Sequence, residues 1–81
     1  MKNPPPFELD VRPLCAQGRP PMPAILAALA ELSPGQALRL SVPFEPVPLY
    51  EFLRARGFSH DSRQAGPDLW IVLFSPVGDV A

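Results

Sequence analysis

At 81 residues the chain has room for one domain, with a core large enough to fold without metal or disulfide. Hydrophobic residues make up 47% and charged ones 19%, and seven basic against eight acidic residues leave a net charge of -1. That balance gives no electrostatic reason to expect nucleic acid or an anionic membrane as partner, and a single cysteine excludes an internal disulfide framework.

The start, Met1-Lys2-Asn3-Pro4-Pro5-Pro6, lacks the apolar centre of a signal peptide. No apolar run approaches the ~20 residues that span a bilayer. These features predict a cytoplasmic protein, one domain over residues 1–81 with an ordered core of about 7–75.

Thirteen prolines are the compositional outlier, and they fall between periodic segments, as expected if each marks a boundary. Pro4 to Pro6 read as an extended leader. Phe7, Leu9 and Val11 then alternate with Glu8, Asp10 and Arg12, the period of a half-buried strand ended by Pro13. The stretch from Pro13 to Pro21 reads as an irregular loop containing Gly18. From about Pro23 to Leu32, Ile25, Leu26, Leu29 and Leu32 recur at helical spacing, and proline suits a first turn. Ala24, Ala27, Ala28 and Ala30 fill the rest of that helix. They are good helix formers beside a small core, or a smooth face offered to a partner.

Ser33-Pro34-Gly35-Gln36 is a turn, after which Leu38, Leu40 and Val42 alternate with Arg39 and Ser41 in a second strand. Pro43, Pro46 and Pro48 bracket the next loop. A second helix is expected from about Pro48 to Arg56, with Leu49, Phe52 and Leu53 inward. Gly57 suits a left-handed stop, with Phe58 supplying the apolar contact after it. A polar third strand near Ser59–Gln64 leads through Ala65-Gly66-Pro67-Asp68, a hairpin turn, to Leu69–Phe74. That last strand is apolar on both faces and so belongs at the centre of the sheet. Pro76 to Ala81 reads as a frayed tail. The order β-α-β-α-β-β predicts an α/β two-layer sandwich, a four-stranded mixed sheet with two helices on one face.

The order of elements, the Leu9-Asp10 start, the Pro21-Met22-Pro23 helix opening and the Pro34-Gly35 turn resemble the TusA-like (SirA-like) small α/β family. Its sulfur carriers have a cysteine followed by Pro-x-Pro at the start of the first helix, and that cysteine bears a persulfide. From Phe7 to Phe74 the chain is more similar to an uncharacterised branch of that superfamily. Leu9-Asp10-Val11-Arg12, Pro48-Leu49-Tyr50 and Trp70 carry this likeness. Two departures bear on function. The residue before Pro21 is Pro20, not cysteine, and Cys15 stands upstream of the expected position near Gly18. Loop histidines typical of the uncharacterised branch are absent from Arg19-Pro20-Pro21 and from Pro43-Phe44-Glu45-Pro46.

Cys15 is the candidate catalytic residue, with Arg12, Arg19, Pro21 and Pro23 as candidate binding residues at the loop and helix opening. Free amides at a helix start and the cations Arg12 and Arg19 favour a thiolate. Leu14 and Ala16 instead favour a small buried residue. His60, the only histidine, reads as a solvated surface residue beside Asp61, and the spacing of histidine and cysteine makes no metal site. Asp10 and Arg12 share a strand face, as a salt bridge near a loop or as an anion site. Arg54, Arg56 and Arg63 suggest a modest basic edge, balanced by Glu51 and Asp61.

These features predict a small non-enzymatic accessory or interaction domain that needs no cofactor or metal. It would dock a protein partner or itself through the alanine face of the first helix or the exposed sheet face. The alternative is a sulfur carrier or redox accessory protein using Cys15 as a persulfide-bearing thiol. A small-ligand pocket between sheet and helices lacks a convergent polar set in the sequence.

Overall fold

The computed structural model of the protein describes residues 4–77. Four strands, β1 (Phe7–Asp10), β2 (Leu38–Val42), β3 (Phe58–Gly66) and β4 (Leu69–Pro76), form one sheet in the order β1-β2-β4-β3. Helices α1 (Arg12–Ala16) and α2 (Met22–Glu31) connect β1 to β2, and α3 (Val47–Arg54) connects β2 to β3. The result is the expected mixed α/β sandwich.

Alternation in the sequence becomes two unlike sheet faces, because successive side chains on a strand point opposite ways. β1 and β2 pair in parallel with Phe7 opposite Leu38 and Leu9 opposite Leu40. β4 runs antiparallel to β2, bringing Val72 opposite Leu40 and Phe74 opposite Leu38. Leu38, Leu40, Val42, Val72 and Phe74 are buried, together with Ile25 and Ala28 of α2 and Leu49 and Leu53 of α3. The other face carries Glu8, Arg39, Asp61 and Arg63 around half-buried Ile71 and Leu73, and Arg39 Nη1 lies 2.7 Å from Glu8 Oε2. β4 is central, as its apolar faces require.

The hairpin falls where Gly66-Pro67 predicts it, with Gly66 opposite Leu69. α3 stops at Arg54, short of the expected Arg56; residues 55–57 continue as a turn that Gly57 closes at φ +88°, and Phe58 packs against the core behind it. An L side chain rarely adopts that φ, so the stop belongs to glycine.

Three further expectations are corrected. The stretch after Pro13 is not irregular throughout: Arg12–Ala16 is a short helix, with Pro13 in its first turn. Fully buried Val11 anchors it, donating to Ser41 O at 3.0 Å, while Cys15 N donates to Val11 O at 3.0 Å. Proline lacks the N–H that a first turn leaves unpaired, so it permits this turn where it would break a later one. Arg12 therefore stands on α1 and not on the strand. The third strand is longer than Ser59–Gln64, running from Phe58 to Gly66, because β4 offers partners out to Pro76. The expected tail from Pro76 likewise begins later, since Pro76 ends β4 and Val77 N donates to Gly57 O at 2.7 Å. The remainder of that tail, 78–81, and residues 1–3 ahead of the Pro4–Pro6 leader lie outside the described residues.

Candidate functional site

The carboxyl ends of the parallel strands β1 and β2, where α/β sheets commonly bind ligands, open onto two depressions. The first is built from the end of β1. Asp10 accepts the Arg12 backbone N–H at 3.0 Å, Arg12 Nε at 3.0 Å and Arg12 Nη2 at 2.8 Å. This two-pronged clasp holds the Asp10 carboxyl below its ordinary pKa, chiefly through the Arg12 side-chain hydrogen bonds, and raises that of Arg12 for the same reason. Cys15 is half-buried, packs against the core and lines a shallow concavity of about 640 Å³ with Asp10, Arg12, Ala16, Pro43 and Asp68.

The second depression lies between the helices. Pro21, Met22 and Ile25 of the α2 end, Val42, Phe44 and Pro46 beyond β2, and Pro48, Leu49 and Phe52 of α3 enclose about 360 Å³. Every lining side chain is apolar. Ile25 and Val42 are core residues, 1% exposed, so the back of the groove is the core itself. Phe44 on its rim is 49% exposed. Consecutive residues Pro43 and Phe44 line different depressions, which makes this loop their common wall. The Arg56 guanidinium lies over the Phe52 ring, 4.6 Å from its centroid.

The candidate residues of the sequence are thus divided. Cys15 and Arg12 share the concavity, while Pro21 lines the apolar groove and Pro23 is exposed in the first turn of α2. Arg19 is exposed, and its backbone N–H donates to Leu14 O at 2.9 Å. Asp10 and Arg12 pair as expected, which engages Nε and Nη2 of the Arg12 guanidinium. On the alanine helix, Ala28 is buried and Ala24 half-buried, while Ala27 and Ala30 are exposed.

A family model described as "Uncharacterized conserved protein (DUF2249)" matches residues 8–76, from β1 to the end of β4. The chain belongs to this family. Comparisons with curated proteins and with solved structures give no match.

Two features of this DUF2249 chain escape sequence reasoning. His60 is exposed, yet its ring stacks on Tyr50 of α3 at 3.8 Å with planes 2° apart, so it is not simply solvated. Burial, the largest cause, pushes the Tyr50 hydroxyl pKa up; a Ser62 hydrogen bond opposes this and Glu45, 3.2 Å away, adds to it. The other feature is the groove. Its only sequence signal is Phe44, an aromatic isolated between Pro43 and Pro46 where no strand or helix period can bury it. Among the described residues, no group of three or more His, Cys, Asp or Glu is placed to hold a metal, and no helix is long and apolar enough to cross a membrane.

Proposed function

We propose that this protein is a small non-enzymatic accessory domain of TusA-like kind, acting in the cytoplasm by gripping an apolar anchor side chain of a protein partner in the α2–α3 groove. The observation that carries this reading is the groove's lining, apolar on every side, with Phe44 49% exposed at its rim. Such a surface offers shape and desolvation but no group that could move a proton or attack a bond. Exposed apolar surface next to a preformed cleft is what protein anchors use. The test is selection of binding peptides from a random library against the wild-type chain. Selected peptides should carry an aromatic or branched aliphatic residue and lose at least about tenfold in affinity against Phe44→Glu. Peptides that bind both forms equally would refute the groove.

A second reading, a sulfur carrier bearing a persulfide on Cys15, draws on the TusA-like resemblance and on the position of Cys15 in the open concavity. The geometry gives it less support. Arg12, the nearest cation in sequence, is engaged by Asp10, and Cys15 sits on a five-residue helix away from the Pro21–Pro23 opening. Mass spectrometry after exposure to a persulfide donor decides between them. Gain of a sulfur atom on Cys15, together with loss of sulfur transfer in Cys15→Ala, would favour the carrier.

A further inference from the structure

The two edges of the sheet are treated differently by the sequence. β1 has only four residues, with Pro4, Pro5 and Pro6 before it and Pro13 just after it. A short edge flanked by prolines resists pairing with another chain. β3, the opposite edge, runs for nine residues with no proline, and its partner β4 occupies one side only. From Ser59 to Ala65 every residue but Ser62 is exposed. The outward N–H and C=O groups of β3 therefore form a template for a further strand.

Charges on an edge usually block such pairing, but those on β3 are arranged as a palindrome. Asp61 and Arg63 flank Ser62, the midpoint of Phe58–Gly66, and both lie on the open sheet face, opposite Leu73 and Ile71 of β4. An antiparallel copy of β3 related by a two-fold axis at Ser62 places Asp61 opposite the partner's Arg63 and Arg63 opposite the partner's Asp61. It also sets His60 beside the partner's Gln64. Members of each pair differ by an even number of residues, so both turn their hydrogen-bonding groups in the same sense. Axes at Asp61 or Arg63 would instead set like charges face to face, which is repulsive. The charges thus exclude these neighbouring registers and favour the one centred on Ser62.

We infer that β3 is a homodimerisation edge: two copies of this chain pair antiparallel about Ser62, joining two four-stranded sheets into one continuous sheet. The occupant is a second copy because the self-complementary Asp61/Arg63 pattern matches β3 itself. The contact is isologous, as a two-fold requires, and involves neither the groove nor Cys15. Pairing of the run His60–Gln64 makes a small interface, so the dimer forms at high protein concentration.

The experiment is sedimentation of the full chain at low salt from about 10 µM to about 1 mM, the range a small interface calls for. Wild type should pass from monomer to dimer. Asp61→Arg and Arg63→Asp should each move the midpoint at least about tenfold higher, since each turns two attractive pairs into two repulsive ones. The charge-swapped double variant restores both pairs and should return the midpoint to that of wild type. With Cys15→Ser removing the native thiol, Ser62→Cys should form a disulfide across the axis under mild oxidation, and Asp61→Arg should suppress it. Circular dichroism confirms folding of each variant. A wild-type monomer throughout, single variants matching wild type, or a double variant as weak as the singles would overturn the proposal. Loss of the dimer in Phe44→Glu but not in the charge variants would do so too, placing self-association at the groove.

Discussion

The two depressions at the strand ends share the Pro43-Phe44 wall and differ in everything else. In the Cys15 concavity the charged groups of β1 and α1 are matched to each other: Asp10 holds Arg12 by side chain and backbone, and that clasp closes the first turn of α1. In the α2–α3 groove there are no polar groups to match, and its back is made of core residues. The Asp10–Arg12 pair, which looks chemical in the sequence, is committed to structure, while the groove is lined by apolar side chains alone. Where a side chain is committed decides what it can do, more than its type.

The largest effect that separates the regions is on stability. Ile25 is both groove wall and core, 1% exposed, so Ile25→Ala should cost about 2–4 kcal/mol by lost burial and cavity formation. Cys15 is half-buried and small, and Cys15→Ala should cost about 1 kcal/mol or less. Urea denaturation measures both. Equal losses would mean that α1 is as much a part of the core as α2, and the contrast between the regions would fail. Next in size is the binding effect of Phe44→Glu. A loss of at least tenfold in affinity, about 1.4 kcal/mol, should accompany a stability change within about 0.5 kcal/mol. A large loss of stability would show that Phe44 holds the loop rather than serving as a free rim.

How far these regions are legible in the sequence follows from how local their causes are. Phe7/Leu9 and Leu38/Leu40/Val42 announce their strands because the alternation is contained in each segment. The doubly apolar Leu69–Phe74 announces a central strand, and Gly66-Pro67 the hairpin. α1 is not legible: Arg12-Pro13-Leu14-Cys15-Ala16 is too short to show a period and contains a proline. It forms because Val11 is pinned beneath it by Ser41, a residue far along the chain. The groove is illegible for the same reason on a larger scale. Its walls come from residues between Pro21 and Phe52, each of which alone reads as core or loop. Of the candidate site, the Asp10–Arg12 pairing could be read from two opposite charges close in sequence, but not from a shared strand face, since Arg12 stands on α1. The division of Cys15 from Pro21 could not.

A smaller effect tests the wall supplied by α3. A Cβ on Gly57 would meet nothing within 4 Å, so Gly57→Ala carries only the cost of a positive φ, about 1 kcal/mol. It should lower stability in urea and, because α3 is otherwise untouched, leave peptide affinity at the groove unchanged. Reduced affinity would show that the groove depends on the exact stop of α3.

The smallest effect belongs to the concavity and is read by pH. The Asp10 carboxyl is held below its ordinary value of 3.8 in the folded chain, so its ionised form is favoured by folding. Its contribution is present above the unfolded value and is lost as pH falls through the folded one. Both partners are about 43–44% exposed, so solvent screens the pair and its contribution is small. Asp10→Asn should lower stability only slightly at neutral pH. The gap between variant and wild type should close below pH 3.8 and shrink in high salt at neutral pH. A gap that persisted in acid would mean that the substitution acts through packing or hydrogen-bond geometry and not through the charge of Asp10, since the asparagine oxygen can still accept the Arg12 N–H. The concavity would then resemble the groove more closely, as a surface shaped by hydrogen bonding and packing with its ion pair incidental.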